Sequence, residues 1–212
     1  AAFDLKSDGQ GGVIVTGFSD EGAGSNDYTT IKYDAAKGNQ IWKRQFHSPE
    51  GENDEASSLV MDISGNIIIT GTSGGNNAPL RFVTIKYNST GDHQLWTVYH
   101  DNASVFGSGL NKVDAPVVVS DGMGNVFLHG TSGGNWDYIT VKYNAAGVEQ
   151  WTRTFDGPAN AEDLGTDITA DTSGRTWVTG VGFNDLFLLD IVTISYDPDG
   201  NTLWKTAVNT EN

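Results

Sequence analysis

Short runs of β-branched and aromatic residues alternate with polar, glycine-bearing breaks along the whole chain. One stretch shows the pattern. Ala56 to Met61 is apolar, Asp62-Ile63-Ser64-Gly65-Asn66 is a turn, and Ile67 to Gly71 is apolar again. A polar loop runs from Thr72 to about Leu80. Phe82 to Tyr87 follows, then the turn Asn88-Ser89-Thr90-Gly91-Asp92, then Gln94 to Tyr99. Runs of this length bounded by Gly, Asn and Asp predict four strands, here called a to d, joined as hairpins. The layout returns around Tyr33 with Trp42, Tyr87 with Trp96, Tyr143 with Trp151, and Tyr196 with Trp204, at tyrosine-to-tyrosine steps of 54, 56 and 53 residues. Four copies at a near-fixed period of about one propeller blade predict an all-β chain, a β-propeller of four repeats, each a four-stranded antiparallel blade. The blades are expected at about 1–48, 54–100, 112–156 and 161–208, in a single domain.

The pattern also assigns roles within a blade. Each a–b turn keeps Asp (8, 62, 121, 171) and Gly (11, 65, 124, 174), residues that close tight hairpins. Strand b is expected to end at Gly17, Gly71, Gly130 and Gly180. Thr precedes that glycine except at His129, which reads as a polar residue at a strand end. Alternation puts Thr29, Ile31 and Tyr33 on one face of strand c and Tyr28, Thr30 and Lys32 on the other. The lysine stem is expected to lie over apolar surface with its amine reaching out. The four repeat tryptophans should fill the clefts between blades, where each ring buries about 150–250 Å². No repeat covers its own faces, so the stack stands or falls together.

Composition narrows the partners. The formal charge is −15, which disfavours phosphate backbones and anionic lipid, so no nucleic acid and no membrane insertion are expected. Cysteine is absent, which removes disulfides, thiol catalysis and thiolate metal sites. Residue 1 is Ala, and the chain is expected to come from a longer one.

Propeller topology gathers the d–a and b–c loops on one face. More than half of the 27 acids fall there, among them Glu52, Asp54, Asp101, Asp137, Asp156 and Asp163, with Glu21, Glu50 and Asp114, against few bases, Arg81 and Lys112. Such a face is either a solubilising surface or a site for Ca²⁺ or a basic partner. No cofactor is expected, and Ca²⁺ is the ion that such an acidic face could hold. Asp197, Asp199 and Asn201 alternate like the start of a calcium loop, without its later Glu; a hairpin turn accounts for them as well. His47 and His100 would need a third ligand across blades to hold zinc. No G-x-S-x-G, P-loop or H-E-x-x-H phrase occurs. Trp136 lies on a b–c loop, where it either stacks on a sugar or anchors a protein partner, or folds back onto its blade.

The phrases D-x-x-G-N-[IV], T-G, T-I-K-Y-[DN] and Q-[IL]-W resemble the bacterial seven-bladed β-propeller repeats over essentially the whole chain. That resemblance implies a large secreted or surface protein and no shared catalytic motif. Ser195 for Lys, Arg81 where other repeats have Asp27, Asp137 and Asp190, and His129 for Thr depart from it. The c–d turn also resembles the tryptophan-docking turn of quinoprotein dehydrogenases, which speaks to how blades lock. The expected function is a non-enzymatic extracellular or cell-surface scaffold offering loops to a protein or glycan. The competing readings are part of a propeller hydrolase or quinoprotein-like dehydrogenase, or a carbohydrate-binding propeller. Four repeats leave no strand to lace the last blade to the first. A homodimer or further blades are therefore expected to complete the ring.

Overall fold

The computed structural model describes residues 1–20, 24–48, 52–74, 78–104 and 115–209. Four antiparallel sheets follow one another along the chain. The first contains β1 (Ala2–Ser7), β2 (Gly12–Asp20), β3 (Asn26–Asp34) and β4 (Gln40–Phe46). The second contains β5 (Asn53–Met61), β6 (Ile67–Gly74), β7 (Arg81–Tyr87) and β8 (Gln94–Asp101). The short β9 (Ala103–Ser104) joins the third, which is β10 (Val117–Ser120), β11 (Val126–Ser132), β12 (Tyr138–Tyr143) and β13 (Glu149–Phe155). The fourth contains β14 (Leu164–Ala170), β15 (Thr176–Phe183), β16 (Leu189–Tyr196) and β17 (Thr202–Asn209). The four main strands of each sheet lie in sequence order, β9 alone pairing off that path with β11, so the described residues form a β-propeller array of four blades. Strand b runs on past its glycine in every blade, to Asp20, Gly74, Ser132 and Phe183. In the second and third blades the polar Thr72, Ser73 and Thr131 beyond the glycine still pair with strand c, which is why composition alone ended those strands too early.

The turns follow their chemistry. Asp8 Oδ1 accepts the amides of Gln10 and Gly12, Asp62 Oδ1 those of Ser64 and Asn66, Asp121 Oδ1 those of Met123 and Asn125, and Asp171 Oδ1 those of Ser173 and Arg175. The glycines that follow have φ between +75° and +94°, a region closed to most side chains. The lysine of strand c does not reach into water as its stem suggested. Lys86 is buried and its amine lies 2.8 Å from Asp62 Oδ2, and Lys32 pairs with Asp8 at 2.7 Å. Burial alone would raise the Asp62 carboxyl, but Lys86 and Asn66 bond to it and hold it below its usual value. The turn aspartate therefore serves twice, closing its own hairpin and neutralising an otherwise costly buried ammonium.

Neighbouring blades lock by an aromatic on a glycine. A Cβ on Gly91 would come within 2.5 Å of the Trp42 ring, one on Gly147 within 2.9 Å of Trp96, and one on Gly200 within 2.8 Å of Trp151. The indoles of Trp96 and Trp151 donate to Ala145 O (3.1 Å) and Pro198 O (3.0 Å) of the next blade. Arg44 and Arg153, stacked over Trp42 and Trp151, donate to Gly91 O and Gly200 O at 2.6 and 2.7 Å. Tyr28 and Tyr138 reach across to Val83 O and Val192 O. The tyrosines of the repeat are buried at Tyr87, Tyr143 and Tyr196 and half-buried at Tyr33. Trp204 stands out among the tryptophans at 46% exposed, against 7% for Trp151.

His129 is fully buried inside β11 rather than at its end. It replaces the threonine of the Thr16–Thr30, Thr70–Thr84 and Thr179–Thr193 pairs, and its Nδ1 lies 3.0 Å from Thr140 Oγ1. Space for the ring comes from the next blade. Gly165 occupies the register of Ala56, and a Cβ there would meet His129 Nε2 at 2.5 Å.

The inner strands β1, β5, β10 and β14 share an axial cavity of about 410 Å³. Because three blade junctions carry the docked tryptophans, removing one opens a cavity that no single sheet can refill. Trp151→Ala is expected to cost about 3–5 kcal/mol in urea unfolding. Met123→Ala, on an exposed turn, should change stability by less than about 0.5 kcal/mol.

Candidate functional site

The b–c and d–a loops of the third and fourth blades frame a groove of about 430 Å³ lined by Gly134, Asn135, Trp136, Asn160, Ala161, Glu162, Phe183 and Phe187. The chain enters it under constraint. Four described non-glycine residues have positive φ, and three of them line this groove: Trp136 (63°), Asn160 (47°) and Phe187 (57°). For rings as bulky as Trp and Phe that region costs about 1–3 kcal/mol each. Hydrogen bonds hold each in place. Asp163 N–H donates to Trp136 O at 2.7 Å, Asn160 N–H to Gly157 O at 3.0 Å, and Phe187 N–H to Asn184 O at 2.8 Å. Trp136 is half-buried, while Asn160 and Phe187 are exposed.

Three aspartates meet beside it. Asp137, Asp156 and Asp163 each bring a carboxylate oxygen within 4.8 Å of the others. Asp137 follows Trp136 on the loop into β12, Asp156 follows β13, and Asp163 precedes β14. Asp163 is fully buried. Its Oδ2 takes the Gly157 amide, which closes the d–a loop. The same closure recurs two junctions away, between the first and second blades, where Ser48 N–H donates to buried Asp54 at 2.5 Å. Burial, with Asp137 and Asp156 nearby, pushes the Asp163 carboxyl up to about 6 despite the bonds from backbone amides. Burial and then Asp156 raise Asp137 as well. Buried oxygens of both, Oδ1 in each case, find no hydrogen-bond partner. Three hard oxygens in this state supply part of the six to eight that Ca²⁺ takes.

The remaining expectations fall elsewhere. Glu52 is buried beside Asp54 at the junction of the first two blades. Arg81 stacks on Tyr99 at 4.5 Å and stands in register with Asp101 across β7 and β8. The second blade therefore has its own guanidinium where the third has Asp137. Asp197 is spent on its turn: Oδ1 accepts Asp199 and Asn201 amides, and Oδ2 the Asn201 side chain. The Asp199 amide is thus committed to that turn, as in the other hairpins. His100 Nδ1 lies 3.5 Å from Glu149 Oε2 across the next junction. Among the described residues the aspartate trio is the one cluster with metal-ligand spacing. Glu21, Glu50, Lys112 and Asp114 lie outside the described residues. Sequence reading put Trp136 and Asp163 on one face but did not bring them together, and it missed Phe183, Phe187 and Asn160. A run of apolar residues in a b–c loop, Leu186-Phe187-Leu188, was the available signal.

No family model and no curated protein matches the chain. Solved structures do. A hypothetical selenium-binding protein from Sulfolobus tokodaii aligns at a TM-score of 0.63 and 11% identity, over 98% of this chain and 55% of that one. A quinohemoprotein alcohol dehydrogenase of Pseudomonas putida HK5 aligns at 0.56 and 13%, over 94% and 33%. One of Comamonas testosteroni aligns at 0.56 and 12%, over 93% and 34%. At these identities the shared feature is the propeller fold. The chain spans about half the length of the first of these relatives and a third of the others.

The titrations of Asp163 and His129 oppose each other. Asp163 sits at about 6, above its ordinary 3.8, so the folded chain holds the extra proton between those values, and stability falls as pH rises through them. Burial holds His129 at about 4 against an ordinary 6.5, so its contribution is full above 6.5 and is lost as pH falls towards 4. Asp163→Asn, which keeps an acceptor for Gly157, should raise the unfolding temperature at pH 7. It should also steepen the fall in that temperature between pH 6 and pH 4. His129→Thr should flatten the same limb, as followed by calorimetry across the pH range.

Proposed function

We propose that this propeller is a non-enzymatic binding module that takes a glycan segment into the groove between its third and fourth blades. The observation that carries the reading is the convergence of Trp136, Asn160 and Phe187, each in a left-handed backbone, on that one groove. Strain concentrated at one concave surface is the usual accompaniment of a binding site. The chemistry of the lining suits a sugar. The rings of Trp136, Phe183 and Phe187 offer faces to the C–H side of a pyranose, and Asn135, Asn160 and Glu162 offer donors and acceptors to its hydroxyls. The acidic surroundings disfavour a phosphorylated ligand. Ca²⁺ on Asp137, Asp156 and Asp163 would offset their mutual repulsion and stiffen the Trp136 loop through the Asp163 amide. The setting is extracellular, where millimolar calcium and glycans are both at hand.

A binding reading is favoured over a hydrolytic one because Asp163 is wholly buried, out of reach of a glycosidic bond. A glycan array followed by calorimetry tests it. The expected result is a saturable ligand whose affinity falls by at least about tenfold in Trp136→Ala and Phe187→Ala, with unfolding temperatures kept within a few degrees. Chelation should weaken the same ligand. Release of reducing sugar that Asp137→Asn abolishes would replace this reading with an enzymatic one. An array without a hit would leave the groove to a protein ligand and sink the glycan assignment.

A further inference from the structure

The first and third junctions close their loops in the same way and differ in what surrounds the closure. At the first, Asp54 takes the Ser48 amide, and Ser73 stands in register with Asp54 on β6. His47 precedes that serine. At the third, Asp163 takes the Gly157 amide, Gly182 holds the repeat position of Ser73, and Asp156 holds that of His47. Asp27 and Asp137 are alike at the two junctions. Two hydroxyl-bearing residues are thus gone from around the buried aspartate, and a carboxylate is added. A Cβ on Gly157 or Gly182 would stand within 2.7 Å of Asp163 Oδ1, so the two glycines keep the space beside that oxygen clear.

Acids that serve solubility stay in water. Here the enclosed oxygens are the ones without donors. Asp163 is wholly buried, its Oδ2 is used by the Gly157 amide, and its Oδ1 has no hydrogen-bond partner; Asp137 Oδ1 is enclosed and without a partner as well. Oxygens in that setting are costly unless a cation meets them. The three carboxylates grade from buried Asp163 through half-buried Asp137 to exposed Asp156, which leaves a way in from solvent. Their oxygens lie within 4.8 Å of one another, the span of two Ca²⁺–oxygen bonds of about 2.3–2.6 Å. Mg²⁺, with bonds of about 2.0–2.1 Å, draws its ligands closer and keeps more water.

We infer that Asp137, Asp156 and Asp163 form a Ca²⁺ site that fills without any sugar and sets the order of the Trp136 loop. The link is short: Asp137 adjoins Trp136 in the chain, and the Asp163 amide donates to Trp136 O at 2.7 Å. Calcium thereby regulates the groove, a consequence that rests on the binding reading above; the ion site stands without it.

Terbium luminescence on the 212-residue chain decides it. Tb³⁺, a luminescent stand-in for Ca²⁺, should saturate at a single site, with emission excited through tryptophan. Ca²⁺ should displace it at a concentration at least about tenfold below that of Mg²⁺. Trp136→Phe should cut the emission sharply while Ca²⁺ still displaces the ion at the same concentration. Asp156→Asn alters an exposed side chain, so circular dichroism should be unchanged while Ca²⁺ weakens by at least about tenfold. Asp199→Asn, on an exposed turn, should leave Ca²⁺ binding as it is. Hydrogen exchange at the Asp163 amide should slow by at least about tenfold when Ca²⁺ is added. Failure to saturate, equal displacement by Mg²⁺, emission indifferent to Trp136→Phe, an equal loss in Asp199→Asn, or exchange unmoved by Ca²⁺ each overturns the inference. A glycan held equally with and without chelator removes the regulation and leaves the binding reading. A filled ion site on a chain that takes no glycan removes that reading and supports the site.

Discussion

The structure depends on one contact made three times: the indole of a blade's outer strand pressed flat against a glycine in the next blade's c–d turn. The glycine is required on two counts, since each has φ between +73° and +81° and each Cβ would overlap the ring. The ring is required because a four-stranded antiparallel sheet exposes two apolar faces and can bury neither alone. Everything else at the junction is arranged around this stack. At the third junction Arg153 lies over the indole and donates to the carbonyl of the same glycine, and the Trp151 indole N–H donates to the carbonyl of Pro198, two residues before that glycine. Backbone acceptors that the turn would leave unpaired are satisfied by the blade that covers them.

The same economy explains why an acidic chain tolerates buried lysines. A turn aspartate oriented by its own hairpin amides is a fixed negative charge, and Lys32 and Lys86 use it at 2.7 and 2.8 Å. A preorganised partner of this kind removes much of the ordering cost that makes most buried ion pairs break even. Blade registry and turn closure are thus one problem with one solution. The exceptions are informative. In the fourth repeat Ser195 replaces the lysine, and its buried hydroxyl has no partner.

Much of the fold was legible because a blade is local. Strand alternation, the Asp and Gly of each turn and the Tyr–Trp phrase are all set within about fifty residues, and repetition filters out accident. The extent of strand b was not legible, because Thr72-Ser73-Gly74 and Thr131-Ser132 are polar in sequence yet pair and bury in the sheet. His129 was misplaced for a related reason. Its burial depends on a missing methyl at Gly165 in the following blade, a pair 36 positions apart that no local rule connects. The candidate site was half legible. Charge counting found the face, but Asp137 and Asp163 lie 26 positions apart and meet only because the third blade's b–c loop leans on the entry to the fourth.

The contrast between junctions shows what the aspartate trio is short of. Where the second blade meets the third, Arg81 stands in the register of Asp137 and faces Asp101, so a positive charge is part of the chain. Where the third meets the fourth, that position is an aspartate, its facing residue Asp156 is an aspartate, and the loop-closing Asp163 is buried beside them. Two of these carboxylates are shifted upward, chiefly by burial and then by their neighbours. A scaffold under pressure only for stability would repeat the arginine, since a fixed guanidinium satisfies carboxylates at least ordering cost. On the binding reading proposed above, the uncompensated charge beside the strained aromatic groove would be met by Ca²⁺, whose arrival would couple to the order of the Trp136 loop through Asp163.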